Sequence, residues 1–201
     1  MTQNLHQEEN AKLLDAILLH VPFDGWSQVS FAAACQDCDI DVSIARIQCP
    51  RGALDLAVMF HQAGDQAMQR QLDDMDLSGL KFREKVTAAV RVRIEVIADK
   101  EAVRRGSTLF SLPQNAIEGA GLIWGTSDAI WTHLGDTSAD VNWYTKRASL
   151  SAVYGACILY WLGDDSPDHA ATWDFLDRRI KNVMQFEKAK AEINKNAVFK
   201  Q

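Results

Sequence analysis

Apolar residues recur at helical spacing along nearly the whole chain, and no stretch alternates as a half-buried strand would. Leu13, Leu14, Ile17, Leu18 and Val21 form one stripe, and Val86, Val90, Ile94 and Ile97 form another. Spacings of three and four put side chains on one helix face, and that face must be buried against other helices. The pattern predicts an all-α fold.

Breakers divide the stripes. Pro22 to Gly25 is expected to end the first helix, and Trp26 to Cys38 reads as a second, opened by Ser27 as a cap. Asp39 to Asp41 makes a tight turn. Val42 to Ile47 then gives a short third helix stopped by Cys49, Pro50, Arg51 and Gly52. Three short helices with a tight turn between the second and third predict a helix-turn-helix head over 1–52. The following stripes predict helices near 54–73, 80–100, 114–134, 141–162 and 167–187, with an interrupted piece over 101–111. They form a helical body over 53–187, followed by a basic tail over 188–201.

Charge bears on what the head can bind. The net charge is -6, and residues 1 to 60 hold only Lys12, Arg46 and Arg51 against eight acidic side chains. In the turn and third helix, Arg46 faces Asp37, Asp39 and Asp41. Phosphate contacts supply most nonspecific nucleic-acid affinity, so this composition argues against DNA binding. The balance inverts from Arg178 onward, where Arg178, Arg179, Lys181, Lys188, Lys190, Lys195 and Lys200 face only Glu187 and Glu192. The tail is the segment suited to an anionic surface.

Catalytic and metal motifs are missing from the sequence. None of the 5 histidines has an acidic residue three positions before it, so the Glu-x-x-His pattern of di-iron bundles is absent. There is no His-Glu-x-x-His run, phosphate-cradling glycine loop or Gly-x-Ser-x-Gly elbow. Cys35 and Cys38 have the spacing of a zinc or redox half-site, but no second ligand pair and no preceding strand accompany them. They read as ordinary helix-end thiols. The 4 cysteines are expected to be reduced in a cytosol-like compartment. Met1 to Asn10 resembles neither a secretory nor a transit peptide, and Ala148 to Leu162 is too short to span a bilayer. The expectation is a soluble bacterial cytoplasmic protein, acting at the inner membrane face, or the mature form of a mitochondrial matrix one.

Two body helices mix small and large apolar residues. Gly119, Gly121, Gly125 and Ser127 lie among Ile117, Leu122, Trp124, Ile130 and Trp131. Further on, Ala148, Ser151, Ala152, Gly155 and Ala156 lie among Leu150, Val153, Tyr154, Ile158, Leu159 and Trp161. Such a mixture permits either close helix crossings or room for an apolar ligand, and composition alone favours plain core. Between the helices, Trp143 and Tyr144 are neighbours. Helical neighbours differ by about 100° in direction, so both cannot enter one core. Paired aromatics beside Lys146 and Arg147 have the character of an interaction hot spot.

The run Asp128, Ala129, Ile130, Trp131, with Gly135 and Asp136, then Asp140, Val141, Asn142, Trp143, Tyr144, Thr145, Lys146 and Arg147, resembles the ubiquinone-biosynthesis accessory family called coenzyme Q protein nine. Asp165, Ser166, Pro167 and Thr172 to Leu176 continue the resemblance. It implies a tetracycline-repressor-like homodimer that has abandoned DNA and is not itself an enzyme. Such a protein holds an isoprenoid or phospholipid-type lipid and presents it to the di-iron demethoxyubiquinone hydroxylase. The candidate lipid-binding residues are then Ile117, Leu122, Trp124, Trp131, Leu150, Val153, Tyr154 and Ile158. The resemblance places Trp143, Tyr144 and Arg147 in an exposed partner-facing patch, with Trp131 and Asp128 close by. Relatives carry a further C-terminal amphipathic helix that engages membrane, whereas here the residues after Phe186 are polar apart from Ile193, Val198 and Phe199. Peripheral membrane contact is expected to be weaker in consequence, or to use another surface. The alternative reading is a transcriptional regulator of the tetracycline-repressor type with a lipid effector.

Overall fold

A computed structural model describes the backbone of residues 2–97 and 99–198, and side chains within 8–97, 99–183 and at 185. Every regular element among them is helical: α1 (Thr2–Asp24), α2 (Gln28–Asp37), α3 (Val42–Gln48), α4 (Ala53–Asp73), α5 (Phe82–Glu95), α6 (Lys100–Ser111), α7 (Ala116–His133), α8 (Val141–Leu162) and α9 (Ala170–Val198), with a 3₁₀ turn at Pro167–His169. Two compact units result. One comprises residues up to Met68 with Val96–Leu122, and the other comprises Gln69–Glu95 with residues from Ile123 onward.

The first unit is built around α1 to α3. The apolar stripe of α1 buries Leu13, Ile17 and Val21 against Phe31, Ala34 and Cys35 of α2 and Leu56 of α4. Each fully buried side chain of this size contributes about 1.5–3 kcal/mol. Trp26 closes the cluster and donates its Nε1 hydrogen to the Ala102 carbonyl at 3.0 Å. Helix α1 runs through Pro22 to Asp24 and stops at Gly25, whose φ of +64° suits glycine. Pro22 therefore sits inside the last turn, and Arg105 Nη2 reaches its carbonyl at 2.9 Å. Ser27 caps α2 through a capping box closed by Ser30, and Asp41 caps α3.

The second unit is formed by α5, α8, α9 and most of α7. Its core includes Val90, Ile94, Ile130, Tyr154, Cys157, Trp161, Leu176 and Ile180. Ser151 Oγ donates to Ser127 Oγ at 3.0 Å, a contact in which two small residues let α7 and α8 approach. At the join of α8 and α9, Asp164 accepts from the Ser166 and Thr172 amides, each at 2.9 Å, and from the Thr172 hydroxyl at 2.5 Å. Led by the Thr172 hydroxyl, these bonds hold its carboxyl well below the usual carboxylate range.

Several helix limits differ from the periodicity reading. Helix α5 ends at Glu95 and not near 100, because Asp99 accepts from the Ala102 amide at 2.9 Å and caps α6. The expected interrupted piece is consequently a regular helix. Helix α9 continues to Val198, past the expected limit of 187. The basic side chains Lys188, Lys190, Lys195 and Lys200, with the apolar Phe186, Ile193, Val198 and Phe199, lie outside the described side chains.

Candidate functional site

The Asn-Trp-Tyr-Thr-Lys-Arg run forms the first two turns of α8. Asp140 sets their start by accepting from the Asn142 amide at 2.8 Å. Helical geometry then splits the run by direction. Tyr144 is 63% exposed and Trp143 half-buried, whereas Arg147 is 2% exposed.

Arg147 is the keystone of the run. Its Nε lies 2.5 Å from Asp128 Oδ1 on α7 and its Nη1 3.0 Å from Asp136 Oδ2 in the connecting loop. Nη1 also donates to the Trp143 carbonyl at 3.3 Å, and the guanidinium lies 4.1 Å from the centre of the Trp143 ring. A planar fork can serve two carboxylates and one ring face together, which an ammonium cannot. The Asp136 side chain is buried, with Lys146 Nζ at 2.6 Å from its other oxygen. Burial opposes its ionisation, but hydrogen bonds from Lys146, Ser138 and Arg147 outweigh that cost and hold the carboxyl well below the usual carboxylate range. Above this network, Trp143 packs edge-on to Tyr144 with centroids 4.8 Å apart and tilts against Trp124 at 5.9 Å. The product is a three-ring aromatic patch fixed from beneath by charge.

A small cavity of about 50 Å³ adjoins the same helices. It is lined by Phe82, Arg83 and Val86 of α5, Trp131 of α7, Lys146, Ser149, Leu150 and Val153 of α8, and Ile180 and Val183 of α9. Phe82 stacks on Trp131 with centroids 5.4 Å apart, and Trp131 Nε1 donates to the Lys146 carbonyl at 3.2 Å. Lys146 thus belongs both to the cavity wall and to the Asp136 network.

The structure gathers some of the candidate residues and separates others. Trp131, Leu150 and Val153 line the cavity; Tyr154 and Ile158 are buried on α8; Trp124 belongs to the aromatic patch. Ile117 is 89% exposed, and both it and Leu122 lie in the first unit. Of the four patch residues, Trp143 and Tyr144 form its face, while Arg147 and Asp128 form the support beneath. Sequence reading set Lys146 beside the aromatic pair and Asp136 in the same run without giving either a role, and it missed Phe82. The only signal was a local density of charge around two aromatics, which carries no pairing information. Among the described residues, no group of three or more His, Cys, Asp or Glu could hold a metal ion.

The architecture defines an all-helical protein of the TetR regulator fold. A TetR transcriptional regulator from Nitrosomonas europaea superimposes with a TM-score of 0.70, covering 87% of this chain and 97% of that one at 13% identity. Within that fold, residues 116–187, which contain the aromatic patch and most of the cavity wall, match the COQ9 family model. A probable mitochondrial ubiquinone biosynthesis protein of Dictyostelium discoideum is 31% identical over 92% of this chain and 63% of its own length. The human mitochondrial ubiquinone biosynthesis protein of the same family is 30% identical over 86% of this chain and 57% of its own. The chain therefore spans about three fifths of the length of these curated relatives. Among the described residues, no helix is long and apolar enough to cross a membrane.

Proposed function

We propose that this chain is a non-catalytic, lipid-binding accessory protein of ubiquinone biosynthesis. It holds an isoprenoid quinone intermediate in its second unit and presents it to the di-iron demethoxyubiquinone hydroxylase through the Trp143 and Tyr144 patch. The observation that supports this most is shared construction. The apolar cavity and the aromatic patch share helices α7 and α8, and Lys146 in the cavity wall holds the same Asp136 that anchors Arg147 beneath the patch. A partner seated on the patch would lie beside the ligand's entrance.

Size sets how the ligand enters. A volume of about 50 Å³ is room for a few waters, each of which needs roughly 10–15 Å³ of such space. This form of the cavity takes the tip of an isoprenoid chain, and deeper entry requires a wall to move. Phe82, 47% exposed and stacked on Trp131, is the displaceable wall. Each methylene sheltered contributes about 0.8 kcal/mol, which repays the loss of one ring contact within a few carbons. Arg83 and Lys146 supply cations that can meet quinone oxygens. The working protein is a homodimer with peripheral membrane contact, acting at the inner face of a bacterial membrane or in the mitochondrial matrix.

Native mass spectrometry of gently purified protein, with and without an added short-chain demethoxyubiquinone, tests the lipid role. Bound lipid or quinone is expected. A protein that stays ligand-free in both samples refutes the reading. For the partner role, Trp143→Lys and Tyr144→Lys should weaken hydroxylase association without unfolding the domain, and undiminished association would remove the patch assignment.

A further inference from the structure

The helix-turn-helix head has a recognition-helix position, α3, whose surface chemistry suits neither DNA nor membrane. Its single cation, Arg46, is committed internally: Nη2 lies 2.5 Å from Gln28 Oε1, Nη1 3.3 Å from the Pro50 carbonyl, and the guanidinium 5.7 Å from the centre of the Phe31 ring. Two amides at the start of α2, those of Val29 and Ser30, are taken by Ser27 Oγ at 3.2 Å each. These are the groups with which a head of this shape would hold phosphate. What α3 offers outward instead is apolar. Ile44 is 55% exposed and Ile47 77%, three residues apart on one helix face. Val29, 64% exposed, lies next to Gln28 and so shares that end of the motif through the Gln28 to Arg46 bond. Exposed Asp37, Asp39 and Asp41 lie along the turn that leads into α3 and give it an acidic edge, with Asp41 as the helix cap and Asp37 Oδ2 2.6 Å from His20 Nε2.

We infer that the α3 face is a docking site for another protein that presents an apolar surface rimmed by lysine and arginine. Charge decides the occupant. A second copy would bring an equally acidic face, and an anionic bilayer or a polynucleotide would be repelled by the same three carboxylates. An apolar centre with a charged rim is also the usual anatomy of a protein interface. Hydrogen bonds from Ser43 keep the Asp41 carboxylate ionised while it caps α3, so the acidic edge is built into the motif. This site is distinct from the aromatic patch on α8 and does not depend on the lipid reading.

Two arms test the inference on the full chain. In the first, a fluorescent 18-residue helical peptide of leucine and lysine is titrated against wild type, Ile47→Ser, Ile44→Ser and Asp39→Asn, with a leucine and glutamate peptide as control. Wild type should bind the basic peptide alone. Each Ile variant should weaken it at least tenfold, Asp39→Asn a few-fold, and all should keep wild-type circular dichroism. Equal binding by Ile47→Ser, or binding of the acidic peptide, overturns the inference. In the second arm, benzoylphenylalanine replaces Ile47, or exposed Gln62 as control, and cells are irradiated. The expected result is a protein adduct found at 47 and not at 62, whose purified partner loses at least tenfold affinity for Ile47→Ser. No adduct above the Gln62 control, or adducts to nucleic acid, lipid or this same chain, refutes it.

Discussion

Arg147→Leu removes one side chain and tests whether the α8 patch is founded on a buried charge network. The side chains of Arg147 and Asp136 are 2% and 4% exposed, whereas that of Asp128 is 45% exposed. Deleting one member of a buried pair costs about 3–5 kcal/mol, because the other charge is left desolvated. Here Asp136 keeps Lys146 at 2.6 Å and Ser138, and Asp128 can turn to water, which argues for the lower end. Losing the guanidinium contact with Trp143 is included in a total of about 3 kcal/mol. For a chain of this size that is a fall in Tm of roughly 6–12 °C. Far-ultraviolet circular dichroism gives the Tm, and near-ultraviolet dichroism reports the loosened Trp143. Arg147→Lys should recover only part, since an ammonium cannot serve both carboxylates. A fall below about 2 °C for Arg147→Leu would mean the network is worth no more than an exposed ion pair, and the reasoning would fail.

Acid should expose the same network. The Asp136 carboxyl is held low in the folded chain, so its stabilisation is complete above its unfolded value of about 3.9 and is lost as pH falls through the folded value. The Tm gap between wild type and Asp136→Asn should be constant near neutrality and shrink below about pH 4; a gap that widens in acid contradicts the assignment. A methyl group at Gly119 would sit 2.7 Å from Phe110 Cβ, so Gly119→Ala should destabilise by roughly 2 kcal/mol. Gly121→Ala meets open space and should gain up to about 1 kcal/mol by helix propensity, with denaturant unfolding as the check on both. Burial pushes the Cys157 thiol up to about 12 and the Cys49 thiol to about 11, so iodoacetamide should label half-buried Cys38 first and Cys157 only on unfolding. Equal labelling rates in the native chain, read by mass spectrometry, would contradict that burial.

The sequence made the helices legible because stripes such as Leu13 to Val21 leave a helix little choice about which face to bury. Caps were readable where a short polar side chain precedes a stripe, as Ser27 does, and were overrun where a stripe continues across the break, as Ile97 continues past Glu95. The segment Pro22 to Gly25 was readable as the end of α1, which stops at Asp24; Pro22 lacks the N–H that would serve the Leu18 carbonyl, and its own carbonyl, in the last turn, takes its donor from Arg105. The patch was legible in Trp143 and Tyr144, because neighbours on a helix must diverge. Its support was not: Arg147 reads as a surface cation until Asp128 and Asp136, 19 and 11 residues away, are brought round it. For the same reason no periodicity could show Phe82 and Ile180, far apart in the chain, sharing a wall with Trp131.

The lipid reading turns on the space bounded by Trp131, Leu150 and Val153. Val153→Phe adds a ring at a position that lines the cavity, where its volume competes directly with a ligand. Native mass spectrometry of wild type and variant, each purified alike and checked for an unchanged helical spectrum, gives the fraction of chains carrying lipid. Substantial occupancy in wild type and at least a tenfold lower occupancy in Val153→Phe is the predicted result. Equal occupancy in the two proteins, or none in wild type, would contradict it.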